Sequence, residues 1–206
     1  MTKEEIIAKI IVIEWKMFQD VPNIGGRASC QDERQTFEIM RMSQAISWPE
    51  AALESYLNDL IEAQKQERNL MTEKYARMMQ STSPAEYARI EHLLPSISPE
   101  ALSLIEKSAA IVLDWEEELS GKYPRLMGQG RPIRNSGDTL FVTSLETYLK
   151  GELATYSLKT LELYYEHLLK EQSENINGSE ITLAQTIKQY GYQSLEEANE
   201  KLRSGI

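Results

Sequence analysis

TKEEIIAKIIVIEWKMF, residues 2–18, begins with Thr2 and Glu5 at the spacing of a helix capping box and continues with Ile6, Ile10, Ile13 and Met17 about one turn apart. The segment predicts an α-helix to about Phe18, closed by Pro22, and β-hairpin signals are scarce in everything that follows. An all-α fold class is expected.

Outward from that helix the pattern recurs. Ser29 and Asp32 suggest a second helix with Phe37, Ile39, Met40 and Ile46 as core contacts, and Ser47 ahead of Trp48 and Pro49 starts a third region. That region runs towards Met79 through Leu53, Leu57, Leu60, Met71, Tyr75 and Met78, with a bend or loop near Arg68 and Asn69 that would divide it. Ser83, Pro84 and Glu86 mark a short helix, and Ser98 with Pro99 opens a longer one in which Leu102, Ile105, Ala109, Val112 and Leu119 recur. Across residues 121–138 four glycines and two prolines break the helical period, which predicts one long loop. Thr143 and Glu146 form a second capping-box candidate ahead of a helix with Leu149, Leu153, Tyr156, Leu163 and Leu168. After a turn at 175–179, short helices over 183–190 and 195–202 end the chain. The expected architecture is a single domain over 1–206, an irregular bundle of seven to nine helices, with the short helices of 175–206 packed on the main bundle or appended to it.

At 206 residues, 41% hydrophobic and 26% charged, the chain can bury a core and is not disordered by composition. Its one cysteine, Cys30, excludes an internal disulfide and any cysteine-cluster metal site, and no metal is expected. Met1 to Glu5 lacks a signal pattern, and the longest apolar run, 109–113, is too short to span a bilayer. A cytoplasmic location away from membranes follows as the expectation. The net charge of −10 is spread along the helices, so general nucleic-acid binding is not expected, although a local basic pocket could take a small anion.

Familiar catalytic signatures are missing. Arg89 and Tyr164 stand three residues before the two histidines, where a di-iron bundle needs glutamates. His92 and His167 lie in separate segments, which excludes a zincin pair. There is no Walker loop, dinucleotide glycine fingerprint or nucleophile elbow, and neither histidine has the upstream arginine of small helical ribonucleases.

What remains is a set of polar constellations. From Asn23 to Asp32 the chain reads NIGGRASCQD, a Gly-Gly turn carrying Arg27 into a helix start, where free N–H groups and the dipole would favour an anion. The bland alternative is a tight connection with Arg27 paired to a structural carboxylate. Cys30, expected in the first turn of that helix, would be an activated thiol or, more commonly, a packing residue. Glu14, beside Trp15 on a helix apolar nearly all round, is expected to be buried and therefore paired or protonated. Arg41, Gln44 and Glu152 also interrupt apolar faces and could converge with Glu14 as one polar core; the bland alternative is that each is a helix-edge residue or a satisfied structural ion pair. Glu73, Lys74, Tyr75 and Arg77 form a cluster in which Glu73 and Arg77 have i,i+4 spacing, and Gly130, Arg131, Pro132 and Arg134 offer a second arginine-bearing glycine segment.

Residues 14–18 (EWKMF), 23–32, 73–79 (EKYARMM), 130–132 (GRP) and 146–153 (ETYLKGEL) resemble the bacterial domain-of-unknown-function family 4125, a similarity covering about Glu14 to Tyr156. The resemblance implies a bacterial source and one helical domain of this length; it supplies no activity, cofactor or catalytic residue.

The leading expectation is a domain that binds a small molecule or anion, with catalysis left open. Its polar cleft would lie where the turn at 25–32 meets the loop at 128–138. Candidate ligand-binding residues are Glu14, Trp15, Asn23, Arg27, Cys30, Gln31, Asp32, Arg41, Glu73, Lys74, Tyr75, Arg77, Arg131 and Glu152, with Glu14 or Glu73 as acid or base and Trp15, Trp48 and Tyr75 as apolar walls. The competing expectation is a noncatalytic module that binds a protein partner or a second copy of itself.

Overall fold

Side-chain caps and prolines begin most of the helices. The computed structural model describes residues 1–23 and 26–202, and Gly25 of the expected anion-binding turn lies outside them. The described residues form eleven α-helices: α1 Lys3–Gln19, α2 Arg34–Ala45, α3 Glu50–Lys65, α4 Leu70–Thr82, α5 Pro84–Ile90, α6 Pro99–Lys122, α7 Pro124–Met127, α8 Leu145–Leu153, α9 Leu158–Ser173, α10 Gly178–Gln189 and α11 Leu195–Lys201. Thr2 accepts from the Glu5 N–H while the Glu5 carboxylate accepts from that of Thr2, so the capping box on α1 is formed; such a cap contributes about 1 kcal/mol. Ser98 caps α6 in the expected place.

Eleven helices exceed the seven to nine expected, for local reasons. The region from Leu149 to Leu168 is two helices, because Ser157 accepts from the Thr160 N–H and starts α9 afresh. The division between α3 and α4 falls at the expected place: Glu67 takes φ 55° and the Asn69 side chain caps α4. The expected loop over 121–138 is shorter, since α6 runs to Lys122 and Pro124 starts the single turn of α7. α8 is capped by Ser144 instead of Thr143, and Glu146 turns away to accept from the Asn135 N–H.

The main core gathers Ile6, Ile10, Leu53, Leu60, Ala109, Leu113, Leu153 and Leu161, with helices α1, α3, α4, α6, α8 and α9 around it. Leu102 of the expected α6 stripe is largely exposed, and Ala101, Ile105 and Ala109 take the inner face. A smaller cluster of Leu119, Tyr123, Ile187, Leu195 and Ala198 seats α10 and α11 on the end of α6 and on α7. α10 also contacts α2. α2 is the departure that matters: Ser43 is its only buried residue, and Met40 and Ile46, expected in the core, are exposed. No described helix is long and apolar enough to cross a membrane.

Candidate functional site

Four helices each contribute one charge to the interior. Glu14 of α1 is fully buried; its Oε2 accepts from Arg41 Nε of α2 at 2.7 Å, and its Oε1 accepts from Arg41 Nη2 and, at 2.6 Å, from the Tyr56 hydroxyl. Arg41 Nη1 donates to Glu152 Oε1 of α8 and to Gln44 Oε1, each at 2.8 Å. Glu152 Oε2 accepts from Lys74 Nζ of α4 at 2.6 Å, and Oε1 also from the Tyr156 hydroxyl at 3.0 Å. Gly151 allows this: a Cβ there would lie 3.1 Å from the Lys74 carbonyl and 2.9 Å from Met78 Cγ, so α4 and α8 approach only because the residue beside Glu152 has no side chain. Burial alone would raise the Glu152 carboxyl, but Arg41 and Lys74 hold it well below the usual carboxylate range. Burial would likewise lower Arg41, and Glu14 with Glu152 holds it well above its ordinary value. Burial, then the facing carboxylates, pushes Tyr56 and Tyr156 far up, so both stay neutral donors. Glu14, Arg41, Gln44 and Glu152 therefore do converge, joined by Lys74, and they converge as paired charges.

Next to this network lies a cleft of about 1090 Å³. Glu33, Thr36, Phe37, Met40, Arg41 and Gln44, spaced as one helical face of α2, line it, which explains why Met40 is exposed without being on the outer surface of the helix pattern. Of the turn at 25–32 only Cys30 lines this cleft, together with Gly128, Gly130, Arg131, Pro132 and Ile133 of the segment after α7. Arg131 donates to the Thr143 carbonyl at 3.1 Å, and its guanidinium carbon lies 5.1 Å from the Tyr148 ring centre, over which Lys74 Nζ also sits at 3.5 Å. No described carboxylate pairs with Arg131. Tyr75 lines the cleft too; burial, then Tyr148, pushes its hydroxyl far up.

Cys30, Arg41, Tyr75, Arg131 and Glu152 thus share the cleft, while the other candidates lie elsewhere. Arg27 is exposed and donates to Asp32 at 2.8 Å, to the Gln31 carbonyl at 2.7 Å and to the Gln19 side chain. Asn23 donates to Gln31 Oε1 at 2.9 Å, and Gln31 Nε2 to the Phe18 carbonyl at 2.8 Å. These residues tie the turn back onto the end of α1. Ser29–Asp32 is a 3-10 turn preceding α2, so Cys30 is not in the first turn of an α-helix as expected, and no side chain caps α2. Trp15 packs against Phe18 and Phe37. Glu73 does not pair with Arg77: Arg68 holds it from two nitrogens at 2.8 and 2.7 Å, and Arg77 donates to the Pro95 carbonyl at 2.6 Å.

The titratable residues of the cleft that were not among the candidates include Glu116 of α6 and His167 and Glu171 of α9. Glu171 is 7% exposed, yet no described residue donates a hydrogen bond to its side chain. His167 Nε2 lies 3.3 Å from Glu171 Oε1 but out of hydrogen-bonding alignment, and it is buried without a partner among the described residues. Burial, reinforced by Glu174, pushes the Glu171 carboxyl up to about 7. Burial also raises Glu116, against the Ser179 hydroxyl, and lowers His167 with help from Lys3 and Lys170. Tyr164 completes the wall; burial, then Glu152, Glu171 and Glu116, raises its hydroxyl. A sequence signal existed. Leu161, Tyr164, Leu168 and Glu171 share a helical face, so a carboxylate follows an apolar stripe inward.

Among the described residues no group of three His, Cys, Asp or Glu side chains is placed to hold a metal ion. Residues 4–200 match the model of a protein family described as "Protein of unknown function (DUF4125)". No curated protein and no solved structure matches the chain.

Proposed function

Since the chain belongs to this family and membership brings no activity with it, we propose from the cleft alone that the protein binds a small organic molecule there, with an anionic group held at Arg131. The observation that carries this reading is a cleft of about 1090 Å³ whose exposed surface is predominantly apolar and is interrupted by charged groups, among them Arg131, Glu116 and Glu171. Arg131 supports the anionic group, because its only hydrogen bond among the described residues goes to a backbone carbonyl and no carboxylate neutralises it. Arg27 is not part of the proposed site, being engaged by Asp32, Gln19 and Gln31. Nor are Glu14 and Glu73 offered as acid or base, since neither lines the cleft and each is paired with an arginine.

Thermal unfolding with a panel of carboxylates, phosphates and nucleotides tests the reading. A ligand at one hundred times its Kd adds about 2.7 kcal/mol, a rise of several degrees in Tm for a chain of this size. The response should disappear in Arg131→Ala and persist in Arg27→Ala. A panel that leaves the wild-type Tm unmoved removes the anion-binding reading.

A second reading, a protein-interaction module, has one observation in its favour: the turn at Leu140, Phe141 and Val142 is exposed, Phe141 by 90%. Self-association that is concentration-dependent in sedimentation and abolished by Phe141→Ser would favour it.

A further inference from the structure

The cleft wall built by α6, α9 and α10 differs chemically from the wall that carries Arg131. It presents the carboxyl groups of Glu116 and Glu171, the hydroxyl of Tyr164 and the imidazole of His167, with no lysine or arginine among the lining residues on these three helices. Glu171 is more than nine-tenths buried and accepts no hydrogen bond from any described residue. The carboxylate lies against Gly178, the first residue of α10: a Cβ there would displace Glu171 Oε2 and press the Trp115 ring at 3.1 Å. The flanking surface is aromatic: Trp48 and Tyr164 have ring centres 4.8 Å apart, and Trp115 also lines the cleft.

Glu171 faces the cleft from an apolar wall with no aligned donor among the described residues, His167 Nε2 at 3.3 Å included, and such a carboxylate is best satisfied by a group that brings N–H donors and positive charge together. Aromatic faces favour the same kind of group. We propose that this wall receives the protonated amine of the bound organic molecule, with Glu171 and Glu116 accepting its N–H donors and Trp48, Trp115 and Tyr164 packing its apolar body. The proposal rests on the reading of the cleft as a ligand site and names the chemistry of one part of the ligand. Binding would also move a proton. The titratable groups facing Glu171 are His167, Glu174, Tyr164 and Glu116. An ammonium group favours the ionised carboxylate, so Glu171, pushed up to about 7, gives up its proton when the amine enters, and because burial lowers the His167 imidazole the proton leaves to solvent.

Calorimetric titration with tryptamine and with tryptophol, which keeps the indole body and replaces the amine by a neutral hydroxyl, tests this. The wild type should bind tryptamine at least about tenfold more tightly, the factor expected for a hydrogen bond to a charged group. At pH 7 the measured heat should depend on the ionisation enthalpy of the buffer, reporting proton release. Glu171→Gln should abolish both the preference and the buffer dependence, and Glu116→Gln should reduce the preference. Equal affinity for the two compounds, or a tryptamine preference that survives Glu171→Gln, overturns the amine assignment. If the anion panel still raises Tm through Arg131, the cleft reading stands without it. If neither indole compound nor any anion binds, both fall together.

Discussion

Two polar regions lie side by side in this protein, and they are built to opposite rules. In the network of Glu14, Arg41, Lys74 and Glu152 every charge faces an opposite charge, and Tyr56 and Tyr156 supply the remaining donors. On the wall of Glu116, His167 and Glu171 the acceptors outnumber the donors, and a buried imidazole nitrogen has no partner among the described residues. Both sit within the protein and both interrupt apolar faces. The first is closed by the fold itself, because charges buried without partners would cost several kcal/mol each. The second is not closed in this way: His167 Nε2 is buried without a partner and Glu171 has no aligned donor among the described residues. The two regions differ in hydrogen-bond satisfaction more than in burial.

The strongest way to break the comparison is Arg41→Ala. It leaves Glu14 buried with no opposite charge and Glu152 with Lys74 alone, and should cost about 3–5 kcal/mol in urea unfolding; a loss under about 1 kcal/mol would show that the network is not what holds α1, α2 and α8 together. The opposite sign is expected on the open wall. Glu171 has its folded value raised to about 7 from an ordinary value of about 4.3, so its contribution is most favourable at low pH, falls as pH rises between those values and is lowest above about 7. Glu171→Gln should therefore stabilise the protein by about 1–3 kcal/mol at pH 8 and change little at pH 4. A destabilisation at pH 8 would mean that the carboxylate is paired after all. Glu152 behaves in the reverse sense: its folded value is depressed, so its stabilisation is present above the ordinary carboxylate value and is lost only in strong acid. The smallest effect sharpens the contrast at the surface. Arg27→Ala removes an exposed pair with Asp32 and should cost no more than about 1 kcal/mol, with every ligand response unchanged.

Much of the helical order was legible in the sequence, because caps and breakers act locally. Thr2 with Glu5, Ser98 with Pro99, and the Asn69 region all mark helix starts by hydrogen bonds formed within a few residues. Where a start had a rival one residue away, as at Thr143 and Ser144, the pattern could not choose, and the break before Ser157 was hidden by apolar residues continuing in period on both sides. The convergence of Glu14, Arg41, Gln44 and Glu152 was legible too, since each is a polar residue on an apolar face. Pairings were not. Glu73 had suitable spacing to Arg77 and took Arg68, because the loop between α3 and α4 brings that arginine back over it.

Periodicity fixed that the chain is helical and which faces turn away from water, for an apolar stripe must be covered by something. It could not say by what. The face of α2 bearing Phe37, Met40, Arg41 and Gln44 reads as a core face and lines a cleft instead, and Glu171 reads as the end of a stripe and becomes an unpaired acceptor beside Gly178. Whether a buried polar group finds its complement depends on neighbours from distant helices, and only their packing in space decides which groups are left without a partner.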